Sequence, residues 1–185
     1  LMTTLASRAQ LRASFIRWAL FCVPAIVLLG FLSGQLAGTG EGDPWFAALA
    51  KPDFYPDASL FPIVWGILYV MMGLAFALVC SAWGAKGRGI AIAAFIVQFA
   101  LNLAWTPLFF GQHEITYALI VIVAMAVMIL ITMILFLRVR KIAALLLVPY
   151  LAWVCFAAYL NYEIRGLNPQ ADGADTTGAI QRIDL

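Results

Sequence analysis

The side chains best placed to do chemistry in this chain are Gln98, Asn102 and Trp105. They recur at helical spacing inside the apolar run QFALNLAWTPLFFG, residues 98–111. An amide at bilayer depth is costly unless it faces protein, water or a ligand. The helix that carries these residues is therefore expected to have an inward face. With Phe109 they form one stripe. Trp65, Tyr69, Met72 and Phe76 form a second, and Tyr150, Trp153, Ala157 and Asn161 a third. Each stripe alone reads more readily as core packing than as a pocket. Together, three faces of Trp, Tyr and amide suit a flat, largely apolar ligand held by stacking and a few hydrogen bonds.

Other chemistries find little support. His113 is the sole histidine, and it falls in a short loop. No apolar segment holds His, Asp, Glu, Lys or Arg well inside it, which argues against a buried haem ligand, an intramembrane proton relay and an ion-coupled pump. No Ser-His-Asp set, phosphate loop or cysteine pair is evident. Cys22, Cys80 and Cys155 read as small buried hydrophobes. No metal, obligatory cofactor or nucleic-acid partner is expected.

The elements that must position these stripes are membrane helices. The chain has 185 residues, 65% of them hydrophobic and 11% charged, and its mean hydropathy is +0.99. A soluble domain of this size could not cover so much apolar surface. Five runs are long enough to span a bilayer, at roughly 18–37, 61–82, 89–110, 116–137 and 142–162. Each far exceeds a membrane β-strand, so the fold class is an all-α membrane protein, a compact bundle of five transmembrane helices. The domain organisation reads as a polar lead (1–14), the membrane domain (15–165) and a polar, Gly-rich disordered tail (166–185). The first run is longer than a signal core and is expected to be retained. Pro149 should bend the fifth helix and free a carbonyl.

Charges are sorted by loop. Arg8, Arg12, Arg17, Lys86, Arg88, Arg138, Arg140 and Lys141 fall on one side, eight of the eleven basic residues. The positive-inside rule then places the N-terminus in the cytoplasm and the C-terminus outside, if the membrane is a bacterial inner membrane. The first loop, 38–60, is the only long one. It carries Trp45, Phe54 and Tyr55, and a net charge of −3 from Glu41, Asp43, Asp53 and Asp57 against Lys51. Its aromatics form either an interfacial belt or the cover of a cavity. Gly30, Gly34 and Gly38 suit either a homodimer seam or packing within the bundle. Val154, Tyr159 and Arg165, and also Leu160, Tyr162 and Arg165, fit a sterol-contact pattern that an interfacial Tyr–Arg belt would explain equally well.

The chain resembles the TspO family, the tryptophan-rich sensory proteins related to the mitochondrial translocator protein (peripheral benzodiazepine receptor). The resemblance rests on Trp45 through Lys51-Pro52, FPIVWGILYVMMG (61–73), ALNLAWTPLFFG (100–111) and PYLAWVCFAAYLNY (149–162), and covers about 18–162. It implies a five-helix, commonly dimeric bundle whose cavity opens towards the first loop. It also implies binding of porphyrins such as protoporphyrin IX and haem, of benzodiazepine-site ligands and, in animals, of cholesterol. Some bacterial members promote light-dependent porphyrin breakdown. By that resemblance Trp65 and Trp153 match the cavity tryptophans linked to porphyrin chemistry, Asn102 a ligand-contacting amide, Trp45 the loop tryptophan and Ala157 a cavity-wall position. Tyr162 and Arg165 match the sterol motif.

The ligand-contact set is thus Trp45, Trp65, Tyr69, Phe99, Asn102, Trp105, Trp153 and Ala157, with Val154, Tyr159, Tyr162 and Arg165 as sterol contacts. Two loop positions depart from the family pattern: Phe54 replaces a Trp and Asp57 a Pro. Tyr159 also stands where a smaller residue is common. Three functions follow as expectations. The first is a membrane receptor or sensor for tetrapyrroles. The second is a light-dependent porphyrin-degrading enzyme using Trp65 and Trp153. The third is a porphyrin or sterol transporter.

Overall fold

The fold begins with a capped helix. Ser7 Oγ accepts from the Gln10 amide at 3.2 Å, and Gln10 Oε1 accepts from the Ser7 amide at 2.7 Å. This reciprocal cap starts α1 at Arg8 and carries it to Ala37. Part of the expected polar lead is therefore helix. A computed structural model describes residues 7–38 and 42–173. Residues 1–6 of the lead, 39–41 with Glu41, and 174–185 of the tail lie outside the described residues.

After α1 come a short α2 (Pro44–Ala48), α3 (Leu60–Cys80), α4 (Arg88–Thr106), α5 (Ile115–Val139), α6 (Lys141–Leu146) and α7 (Val148–Leu167). A π-helical turn, Pro107–Gly111, extends α4. Among the described residues, five helical stretches are long and apolar enough to cross a membrane: α1, α3, α4 with its π turn, α5, and α6 with α7. Side chains such as Leu20, Phe21, Leu28 and Leu36 on α1 stay exposed. That arrangement is stable where lipid is the solvent.

Two prolines shape the ends of the spans. Pro107 has no N–H for the Leu103 carbonyl. Ser33 Oγ on α1 donates to that carbonyl instead, at 2.8 Å. The chain then widens into the π turn, with the Gln112 amide bonded to the Pro107 carbonyl at 3.0 Å. Pro149 sits in the first turn of α7. The bend expected there is an interruption at Leu147 that separates α6 from α7.

The helices approach closely where side chains are absent. A Cβ on Gly73 would lie 2.7 Å from the Val23 Cα, so only glycine lets α3 meet α1 there. A Cβ on Gly30 would lie 2.3 Å from the Tyr69 ring. Gly30 therefore serves packing within the bundle, and Gly38 serves as the left-handed C-cap of α1 (φ 68°). Cys22 and Cys80 are buried as expected, whereas Cys155 is exposed on α7.

Candidate functional site

The inward faces of α3, α4 and α7 meet in a chain of buried hydrogen bonds. The Tyr69 hydroxyl donates to Asn102 Oδ1 at 3.2 Å. Asn102 Nδ2 donates to the Tyr150 hydroxyl at 3.1 Å, which in turn donates to Gln98 Oε1 at 2.8 Å. All four residues are buried, with Tyr150 and Gln98 fully so. Each amide is placed by the i, i+4 spacing of α4, and each tyrosine by the stripe of its own helix. Gln98 is thus a bridge between helices. Tyr150 is the hub. The sequence placed it on the third stripe but gave no sign that its hydroxyl would join two amides.

Aromatic rings wall this network. Trp65 leans on Tyr69 (centroids 5.4 Å apart) and meets Tyr150 edge-on at 6.3 Å. Trp153 follows Tyr150 by one turn and packs edge-on against Phe61 at 5.7 Å. Trp65, Trp153 and Ala157 are half-buried against the core. Between α3 and α7 lies an open groove of about 440 Å³, lined by Val64, Leu68, Met71, Pro149, Trp153 and Phe156 among others, and almost wholly apolar. Trp153 Nε1 is buried and has no acceptor among the described residues, and neither has Gln98 Nε2. Buried donors without partners are costly, and a ligand acceptor would relieve the cost.

The rest of the expected ligand set is divided between this core and a second cluster. Phe99 stacks on Phe95 at 6.1 Å inside the core. Trp45 is 8% exposed in a second cluster under the first loop, edge-on to Phe109 at 5.6 Å and stacked on His113 at 4.3 Å. Trp105 joins that cluster. It stacks on Phe109 at 5.2 Å, and its Nε1 donates to Asn161 Oδ1 at 3.2 Å. The π turn redirects the chain beyond Trp105, so the end of the opening run faces the loop cluster and not the amide network.

The first loop is a fastened cover. Lys51 Nζ donates to the Phe46 carbonyl at 3.0 Å and lies 4.5 Å above the Phe46 ring. Asn168 exchanges two 2.8 Å bonds with the Ala50 backbone. Trp45 Nε1 donates to the Ala171 carbonyl at 3.3 Å. The Asp172 carboxylate accepts from the Thr116 amide at 3.0 Å and from the Thr116 hydroxyl. Arg165 Nε reaches the same hydroxyl at 2.8 Å. Burial raises the Asp172 pKa, but bonds from Thr116 and the Ile115 amide, with the Arg165 charge, hold it below the usual carboxylate value. Residues 168–173, expected to be disordered tail, are thus a clasp on the cover. Asn168 and Asp172 carried no sequence signal beyond polarity in an apolar chain.

The sterol pattern divides across the helix. Val154 is fully buried, so it cannot share a lipid-facing surface with Tyr159 and Tyr162, which are exposed. Tyr159 stacks on Phe54 of the first loop at 5.3 Å, and Arg165 is occupied by the clasp. The spacing reads as a motif only while the 100° step of the helix is ignored.

Among the described residues, no three His, Cys, Asp or Glu side chains group as metal ligands. The arrangement offers aromatic faces, hydroxyls, amides and an unpaired indole N–H. The model of the TspO/MBR family matches residues 22–167. The chain is 40% identical over 149 residues to the tryptophan-rich protein TspO of Chlorobaculum tepidum, covering 80% of this chain and 94% of that one. It is 38% identical over 156 residues to the tryptophan-rich sensory protein of Cereibacter sphaeroides (82% and 92%). It is 36% identical over 136 residues to the human translocator protein (72% and 80%).

Proposed function

Because this chain belongs to the TspO/MBR family, we propose that it is an integral membrane receptor for tetrapyrroles such as protoporphyrin IX and haem. The observation that carries this reading is the apolar groove between α3 and α7, where a buried Trp153 indole N–H lacks an acceptor. A flat macrocycle stacks on the indole and Phe rings, and its carboxylate or carbonyl edge accepts the indole hydrogen. Trp65, Tyr69 and Asn102 stand behind that wall and hold its shape through the Tyr150 network. The tetrapyrrole is a ligand here and not a resident cofactor. In a bacterial inner membrane the positive-inside rule would turn the basic end of the bundle to the cytoplasm.

Titration in detergent with protoporphyrin IX tests the reading. Tryptophan fluorescence should be quenched saturably at micromolar concentrations, and Trp153→Phe should weaken the saturable phase. Quenching that rises linearly without saturation would sink the proposal.

One observation favours a second reading, light- and oxygen-dependent porphyrin oxidation. Trp65 touches both Tyr69 and Tyr150, so oxidisable rings adjoin one another beside the groove. Under illumination the excited porphyrin would be oxidised by dioxygen, with these side chains exchanging electrons. An unchanged porphyrin spectrum after illumination in air, or equal loss with Trp65→Phe/Trp153→Phe, would reject it.

A further inference from the structure

The far end of the bundle holds a second cavity that the tetrapyrrole reading does not use. It measures about 410 Å³ and lies where the first turns of α1 meet the end of α3 and the α5–α6 corner. Leu11, Phe15 and Leu78 form an apolar wall, and Arg140 and Lys141 stand beside them. The Ser7–Gln10 cap matters here, because it carries α1 beyond the expected span and brings Leu11 to the cavity. Arg140 has extended backbone (φ −150°, ψ 109°) and joins α5 directly to α6. Two adjacent cations are thereby presented at one corner, both exposed.

The surrounding charge is one-signed. The segments that form this end, residues 7–17, 81–88 and 138–141, contain eight basic residues and none of the nine acids. Such a field attracts a net negative group and disfavours a cationic one. An apolar wall beside paired cations at a helix-bundle end matches a molecule with a phosphate head and an acyl body. A soluble anion would gain nothing from Leu11, Phe15 and Leu78.

We propose that this cavity holds the headgroup of an anionic phospholipid. Arg140 and Lys141 pair with the phosphodiester, and the acyl chain lies along Leu11, Phe15 and Leu78. Arg138 belongs to the same basic end but not to the cavity lining, which makes it the control.

Native mass spectrometry of the delipidated protein in detergent reads this out, with phosphatidylglycerol and phosphatidylcholine added in separate titrations. Phosphatidylglycerol should be retained at about tenfold lower concentration than phosphatidylcholine. Arg140→Gln/Lys141→Gln should remove that preference, Arg140→Lys/Lys141→Arg should keep it, and Arg138→Gln should leave it nearly unchanged. Circular dichroism melts confirm that each variant is folded. Equal retention of the two lipids overturns the proposal. So does an equal loss with Arg138→Gln, which would mean diffuse surface charge. Displacement by glycerol phosphate at concentrations comparable to the lipid would mark the ligand as a free phosphate ester, and that too overturns the assignment to lipid.

Discussion

Trp45 and Trp153 are the same residue type, both packed among aromatic rings, yet the molecule treats them differently. The Trp45 indole donates to the Ala171 carbonyl, in a loop held by Asn168 and Lys51, while Asp172 ties the same C-terminal segment to Thr116. The Trp153 indole is buried beside an open groove and donates to nothing among the described residues. One tryptophan fastens the cover; the other is buried with its N–H unpaired. Aromatic composition alone would have ranked them together. Hydrogen-bond satisfaction separates the two.

The comparison can be broken most forcefully between the two regions, at Asn102. Asn102→Ala strips the acceptor from Tyr69 and a donor from Tyr150 in a fully buried setting. A loss of about 2 kcal/mol is expected, read as a lowered thermal midpoint in detergent. A midpoint equal to the parent would mean that the network is ornamental.

Next in size is Trp153→Phe. Removing an indole N–H that has no protein partner should leave the thermal midpoint nearly unchanged and weaken protoporphyrin IX binding by about fivefold to tenfold. Trp45→Phe should do the reverse. It loses the Ala171 bond, so stability falls by about 1 kcal/mol, while tetrapyrrole affinity in the intact fold changes little. If the two variants gave the same pair of results, the distinction drawn between them would fail.

The smallest effect concerns the clasp. Asp172 titrates below the usual carboxylate value of about 3.9. Its contribution is therefore present above that value and is lost as pH falls through the lower folded pKa. Proteolysis of the 168–173 segment should accelerate on acidification through that window. Asp172→Asn should make the segment more sensitive at neutral pH and flatten the pH dependence.

How much of this was legible in the sequence differs by element. The five spans were readable to within a few residues at most of their ends, because hydrophobic length is a local property. The exception is the start of α1, where a Ser7–Gln10 cap makes helix of residues that are polar on average. The amide pair Gln98 and Asn102 was legible because polar residues in lipid must be answered by something. Their partners were not, since Tyr69 and Tyr150 lie 33 and 48 residues from Asn102. Trp45 joins the ligand set through the family resemblance, and the structure packs it in the cluster under the first loop, whereas Phe99 lies in the same core as Tyr69 and Tyr150. Val154 lies on a different face from Tyr159 and Tyr162, which a spacing pattern does not register.

The sequence by itself determined the solvent, the number of spans, the sorting of charge to one end and the family. These follow from composition and order along the chain, and no folding is needed to read them. Only the tertiary structure decided which donors are paired. Pro107 loses a helical bond and Ser33, from another helix, supplies its replacement to Leu103. Asn168 and Asp172 become a clasp because the loop and the α4–α5 turn come within reach. Trp153 Nε1 stays unpaired because no acceptor among the described residues does. Satisfaction of a polar atom depends on neighbours distant in sequence, so it emerges only when the helices are assembled.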